Sequence, residues 1–161
     1  MKSLLTAAAL VFSISAYATP KVGDHSEFAF SITHGTETRV GTYTSAIVSE
    51  NGEQVSLSTT IHFDGQEDQH SEEPMNRSQL LNDETIADVL ANCAEYGGAV
   101  EQLVVPAGTF PSCKLAMQDD AGKDNGFMWI GTVPFGILKQ VMTNPEGVVY
   151  DLQLSTFVNG Q

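Results

Sequence analysis

The chain has 161 residues, seven Lys plus Arg, twenty Asp plus Glu and a formal charge of −13. A nucleic-acid binder needs clustered positive charge to meet phosphates, so this balance excludes that class. With 42% hydrophobic residues the chain can form a core, which excludes global disorder, and its length fits one domain.

Met1 to Ala18 reads as a secretory signal peptide. Lys2 supplies the positive start, Leu4 to Ile14 the apolar stretch, and Ala16-Tyr17-Ala18 the small-x-small cleavage pattern. The expected cleavage follows Ala18, so the mature domain spans residues 19–161 and is periplasmic or secreted from a bacterium. The apolar run is too short and too interrupted by Ser13 and Ser15 to be a retained membrane span. No cysteine follows the cleavage site, so lipid attachment is not expected, and no later segment reads as a membrane span. Without Lys2, six basic and twenty acidic residues remain, a net charge of −14. Anionic headgroups repel such a surface, so any dealing with lipid must use an apolar pocket.

Period-two alternation dominates the mature chain. Phe28, Phe30 and Ile32 alternate with Ala29 and Ser31, and Val55, Leu57, Thr59, Ile61 and Phe63 alternate with Ser56, Ser58, Thr60 and His62. Each run predicts a half-buried strand. Val148, Tyr150, Leu152 and Leu154 repeat the pattern, and Phe127 to Val133 forms a further run around Trp129. Asn51-Gly52, Asp64-Gly65 and Asn125-Gly126 predict hairpin turns, as do Ala107-Gly108 and Thr143 to Gly147, so consecutive strands pair as a meander. The expected fold class is mainly β (α+β), a curved antiparallel sheet or half-barrel of eight or nine strands packed on one helix.

That helix is the one break in the rule. Ile86, Val89, Leu90 and Cys93 fall at i, i+3, i+4 and i+7, Asn82 can cap the start, Asp83 and Glu84 suit the positive end of the dipole, and Gly97-Gly98 offers a stop. The helix is predicted over residues 83–96, with its apolar stripe against the sheet. Cys93 lies on that stripe and Cys113 shares strand parity with Leu115 and Met117, so the two are expected to pair. An oxidising compartment favours the bond, and closing this loop stabilises the fold by roughly 3 kcal/mol on the chain-entropy argument. Neither a C-x-x-C motif nor a His near either cysteine in sequence points to a reactive thiol.

Three groups of side chains are candidate sites. His62, Asp64, Glu67, Asp68, His70, Glu72 and Glu73 form the densest polar cluster, but their spacing matches no defined zinc or calcium site, and a solvated hairpin is the expectation. Asp119 to Gly126 superficially resembles a calcium loop without its register or distal glutamate. No metal or cofactor is expected from either. No nucleophile elbow, zinc helix or phosphate loop occurs, so an enzyme, for instance a hydrolase, would need a constellation assembled only by folding. The third candidate is the apolar concave face: Phe28, Phe30, Ile32, Tyr43, Ile47, Leu57, Ile61, Phe63, Phe127, Trp129, Tyr150, Leu152 and Leu154. These residues line either a lipid-sized pocket or an ordinary core closed by the helix, and alternation does not distinguish the two.

Val104-Val105-Pro106-Ala107-Gly108-Thr109-Phe110 followed by Cys113, then Trp129, Val133-Pro134-Phe135-Gly136-Ile137-Leu138-Lys139 and Tyr150-Asp151-Leu152-Gln153-Leu154, after an early Val22-Gly23-Asp24, resembles a group of exported bacterial proteins. Their architecture is similar to the LolA/LolB-like lipoprotein-carrier fold, a half-barrel around one or more helices. The resemblance implies an acyl chain on the concave face and a helix as lid, although a Cys93–Cys113 bond would tether that helix. The leading expectation is a non-enzymatic exported protein binding a hydrophobic ligand or lipid moiety. The alternative is a disulfide-stapled envelope module whose core is filled and whose acidic outer face meets a protein partner.

Overall fold

A computed structural model describes residues 20–160; the expected signal peptide and its cleavage site lie outside the described residues. Nine strands and one α-helix follow in order: β1 (His25–His34), β2 (Glu37–Asn51), β3 (Gln54–Phe63), β4 (Gln69–Asn76), α1 (Asp83–Ala91), β5 (Ala99–Val105), β6 (Gly108–Gln118), β7 (Asp124–Ile130), β8 (Ile137–Thr143) and β9 (Val149–Val158). All nine belong to one antiparallel sheet ordered β4-β3-β2-β1-β9-β8-β7-β6-β5. The expected single meander is two meanders, β1 to β4 and β5 to β9, joined by β1 pairing with β9. Between them, the segment carrying α1 takes the chain from one edge strand to the other. The mainly β class expected from the sequence is found: nine antiparallel strands form one open sheet packed on α1, and β4 and β5 are its free edges.

Opposed residues in an antiparallel pair share a face, so the register sorts the side chains. Phe30 lies opposite Leu152, Leu152 opposite Gln140, and Gln140 opposite Met128. That set defines the inner face. Ala29 lies opposite Gln153, Gln153 opposite Lys139, Lys139 opposite Trp129, and Trp129 opposite Lys114. That set defines the outer face.

Helix α1 starts as the sequence predicts, with the Asn82 side chain accepting from Thr85 N–H at 2.8 Å. Leu81 precedes the cap and packs in the same cluster as Ile86, the apolar staple that sets the angle at which the chain enters. The helix ends at Ala91, five residues before the expected Tyr96. Asn92 takes the C-cap with φ −114° and ψ 26°, its amide donates to Asp88, and the chain turns through Gly97 at φ 74°. Ile86, Val89 and Cys93 pack against Cys113 and Ile130 on the inner face of β6 and β7, with Leu90, Leu115 and Met128 around them. The Cys93–Cys113 disulfide is formed, with Cα atoms 5.6 Å apart.

A second cluster gathers Phe28, Val105, Trp129, Val133, Leu138 and Leu154. It includes residues from distant strands because the β5–β6 hairpin end folds over: Ala107 N–H donates to Leu154 O at 3.0 Å, and Phe110 meets Phe157 with ring centroids 6.2 Å apart. Two turn expectations are displaced. The β2–β3 hairpin turns on Gly52-Glu53, with Gly52 at φ 63°, one residue beyond Asn51-Gly52. Asn125-Gly126 is not a turn at all but lies inside β7, where a Cβ on Gly126 would stand 2.0 Å from Val141 O. The actual turn is set by Asp119, which accepts from Ala121 and Lys123 N–H, with Gly122 at φ 74°.

Candidate functional site: an apolar groove on the inner face

Helix α1 shields only the β6–β7 half of the inner face. Over β9, β1, β2 and β3 no α-helix lies on the sheet among the described residues; a single 3-10 turn, Arg77–Gln79, stands at its margin. There Ile32, Tyr43, Leu57, Ile61, Phe63, Tyr150 and Leu152 are half-buried, while Phe28, Phe30, Ile47 and Leu154 are buried. Phe28 packs on Tyr43 and Phe30 on Phe63, with centroids 6.0 and 5.8 Å apart, so two aromatic pairs lie in this surface.

Where this surface meets the loops next to the helix it deepens into a groove of about 420 Å³. Phe28, Tyr43, Leu57 and Leu152 form its base, Leu80 and Leu81 one wall, and Phe135 and Ile137 the other. Such a size lies within the range of small-molecule sites. The polar lining is Ser45, Gln79, Gln140 and the Tyr43 hydroxyl, and among the described residues no Asp, Glu, His, Lys, Arg or Cys borders it. The groove can therefore desolvate an apolar group and offer neutral hydrogen bonds from Ser45, Gln79, Gln140 and Tyr43.

The walls are held by backbone geometry. Phe135 has φ 63° and Gly136 φ 72°. A bulky residue rarely occupies this region because its Cβ crowds the backbone. The tight turn brings Gly136 so close to the helix start that a Cβ there would lie 3.0 Å from Leu81 and 3.1 Å from Ile86. This contact joins the two walls.

The structure separates two residues from the rest of the expected concave set. Phe127 and Trp129 are on the outer face, because Trp129 is opposite Lys139 and Phe127 opposite Val141. Trp129 is only 8% exposed there, packed in the cluster with Val105, and its indole N–H donates to Glu101 at 2.5 Å. Lys114 stands over both rings, 4.1 Å from the Phe127 centroid and 5.0 Å from that of Trp129. Conversely, Leu80, Leu81, Phe135 and Ile137 line the groove without having been singled out as lining residues. An available signal for two of them was Leu80-Leu81 directly before the helix cap, outside any strand pattern.

The polar cluster remains at the surface. His62 Nδ1 lies 2.6 Å from Asp68 and its Nε2 3.7 Å from Asp64. The hydrogen bond to Asp68, with the charges of both carboxylates, holds the imidazole above its ordinary pKa. His70 instead meets Thr60 at 3.2 Å. Among the described residues no three His, Cys, Asp or Glu side chains converge as a metal site. At the helix end, the Tyr96 hydroxyl donates to Asp88 at 2.5 Å, lowering the carboxyl pKa and raising that of the phenol. No described helix is long and apolar enough to cross a membrane.

No family model matches the chain, and no curated protein matches its sequence. Among solved structures, a protein of Bacteroides fragilis NCTC 9343 with a YmcC-like fold aligns with TM-score 0.51 and 9% identity, over 89% of this chain and 99% of that one. MucB of Pseudomonas aeruginosa, in its complex with MucA, aligns with TM-score 0.45 and 11% identity over 85% of this chain. That alignment spans 52% of the MucB structure's chain, about half its length. A DUF1329 family protein from Desulfovibrio piger ATCC 29098 aligns with TM-score 0.27 and 14% identity, over 84% of this chain and 85% of that one. The first similarity extends to the fold of nearly the whole chain: the open nine-stranded sheet with its single helix is similar to the YmcC-like fold.

Proposed function

We propose that this is an exported, non-enzymatic protein of the bacterial envelope that holds an apolar ligand, such as the acyl chain of a lipid moiety, in the inner-face groove. The observation that carries this reading is the groove itself: an apolar concavity of about 420 Å³ whose lining, among the described residues, contains no charged side chain. An acyl chain gains by leaving water and asks for no charge partner, which matches that lining. Export is supported by the leader-like start of the sequence, by a disulfide of the kind that persists in oxidising compartments, and by the YmcC-like neighbour, itself described as exported. The net negative charge favours contact through the groove over attraction to anionic headgroups.

The test is titration with a fatty acid carrying an environment-sensitive fluorophore. Saturable binding, displaced by the unlabelled acid, is expected. Trp129 is a poor direct reporter because it lies on the outer face, whereas Tyr43→Trp places an indole in the groove floor. Leu57→Trp and Leu152→Trp fill the groove and should abolish binding while retaining a cooperative unfolding transition. Absence of saturable binding, or binding indifferent to both substitutions, refutes the reading.

A further inference from the structure

The two edges of the open sheet are built differently. Strand β4 carries Glu72, Glu73 and Pro74. Charges and a missing N–H on an edge strand discourage another strand from adding to it. Strand β5, Ala99-Val100-Glu101-Gln102-Leu103-Val104-Val105, contains no proline, no lysine and one carboxylate. Even that carboxylate is turned onto the outer face, where Glu101 accepts the Trp129 indole N–H. Val100 and Val104 are 69% and 73% exposed inside a regular strand. Among the described residues nothing pairs with the outer edge of β5, so its outward backbone groups present an open ladder.

We propose that β5 is a self-association edge, along which a second copy of this chain adds antiparallel about a two-fold axis at Gln102. The strand is self-complementary under that operation. Gln102 then faces Gln102 of the other copy, Val100 faces Val104, Glu101 faces Leu103 and Ala99 faces Val105, so no like charges are opposed. Each exposed valine is buried against the other, as an isologous contact requires. The same operation on β4 would oppose Glu72 to Glu73 and offer Pro74 to the ladder. The charge of −14 on each mature copy, six basic against twenty acidic residues, works against the pairing at long range. Salt screens that repulsion, whose reach is about 8 Å at physiological ionic strength. One strand pair with two valine contacts buries less than a permanent interface, so the dimer is weak and concentration-dependent, and added salt strengthens it.

Sedimentation equilibrium on the disulfide-bonded mature protein, from low micromolar to several hundred micromolar and at two salt concentrations, tests this. The wild-type protein should pass from monomer to dimer, with the transition at lower protein concentration in high salt. Val100→Lys/Val104→Lys should remain monomeric over the whole range, because it opposes lysines across the axis. Val40→Lys, which changes a 63%-exposed valine on β2, should dimerise as the wild type does. Gln102→Cys should oxidise to a covalent dimer and Ala99→Cys should not, which reports the register. A wild-type monomer at all concentrations, dimers that survive Val100→Lys/Val104→Lys, or a Val40→Lys variant that loses them overturns the proposal. So does a monomer that instead takes up an extended peptide of another protein along β5.

Discussion

Cutting the Cys93–Cys113 bond while leaving every contact side chain in place gives a direct measure of what tethers α1 to the sheet. The cysteines are 20 positions apart, and for a loop of that length the chain-entropy relation gives about 3 kcal/mol of stabilisation at 25 °C. Cys93 and Cys113 are 2% and 0% exposed, so Cys93→Ala/Cys113→Ala also removes two buried sulfur atoms. Counting each sulfur as about one buried methylene, near 1 kcal/mol, brings the double variant to about 5 kcal/mol below the oxidised protein. Urea unfolding should be followed by Trp129 fluorescence, for the oxidised protein, the reduced protein and the double variant. The buried indole on β7 sits beside β6, to which the bond is anchored. The expected order is oxidised, then reduced by about 3 kcal/mol, then the double variant, with the thermal midpoint of the reduced protein lower by roughly 10 °C. A reduced protein within about 1 kcal/mol of the oxidised one would refute the argument, because it would mean that packing alone holds the helix.

Asn82→Ala should cost about 1 kcal/mol by denaturant unfolding, since it orphans the Thr85 N–H at the helix start. Gly126→Ala should destabilise by roughly 1–3 kcal/mol, because its Cβ meets the backbone of β8 at Val141 O and the strands must part. His62 should titrate above its ordinary pKa of 6.5 by NMR, and Asp68→Asn should bring it down. Because the folded pKa is raised, any stability from the imidazolium is fully present below pH 6.5 and is lost as pH rises through the folded value. An unchanged His62 titration in Asp68→Asn would remove Asp68 as the cause.

Local chemistry was enough for much of this molecule. Alternation in Phe28 to Ile32, Val55 to Phe63 and Val148 to Leu154 specifies strands because successive side chains leave a strand on opposite sides, and those segments lie in β1, β3 and β9 with Val148 just ahead of the last. The Ile86, Val89 and Cys93 stripe and the Asn82 cap specify a helix and where it begins, and the parity of Cys113 was sufficient to predict the disulfide. Tertiary structure decided what crosses strands. Alternation divides Phe127 to Ile130 into two sets but does not say which set joins the face of Phe28; that depends on the β7–β8–β9–β1 register, including an irregularity at Trp129 and Ile130. Trp129 is buried on the outer face because the β5–β6 hairpin end folds over it, a contact between residues far apart in sequence. Asn125-Gly126 carries a local turn signal, yet the glycine is there for the close approach of β8, which only the assembled sheet imposes. The groove is likewise a tertiary object: its floor was legible as alternating apolar residues, while its walls come from the segment before α1 and the turn leading into β8, which meet only when Gly136 packs on Leu81 and Ile86.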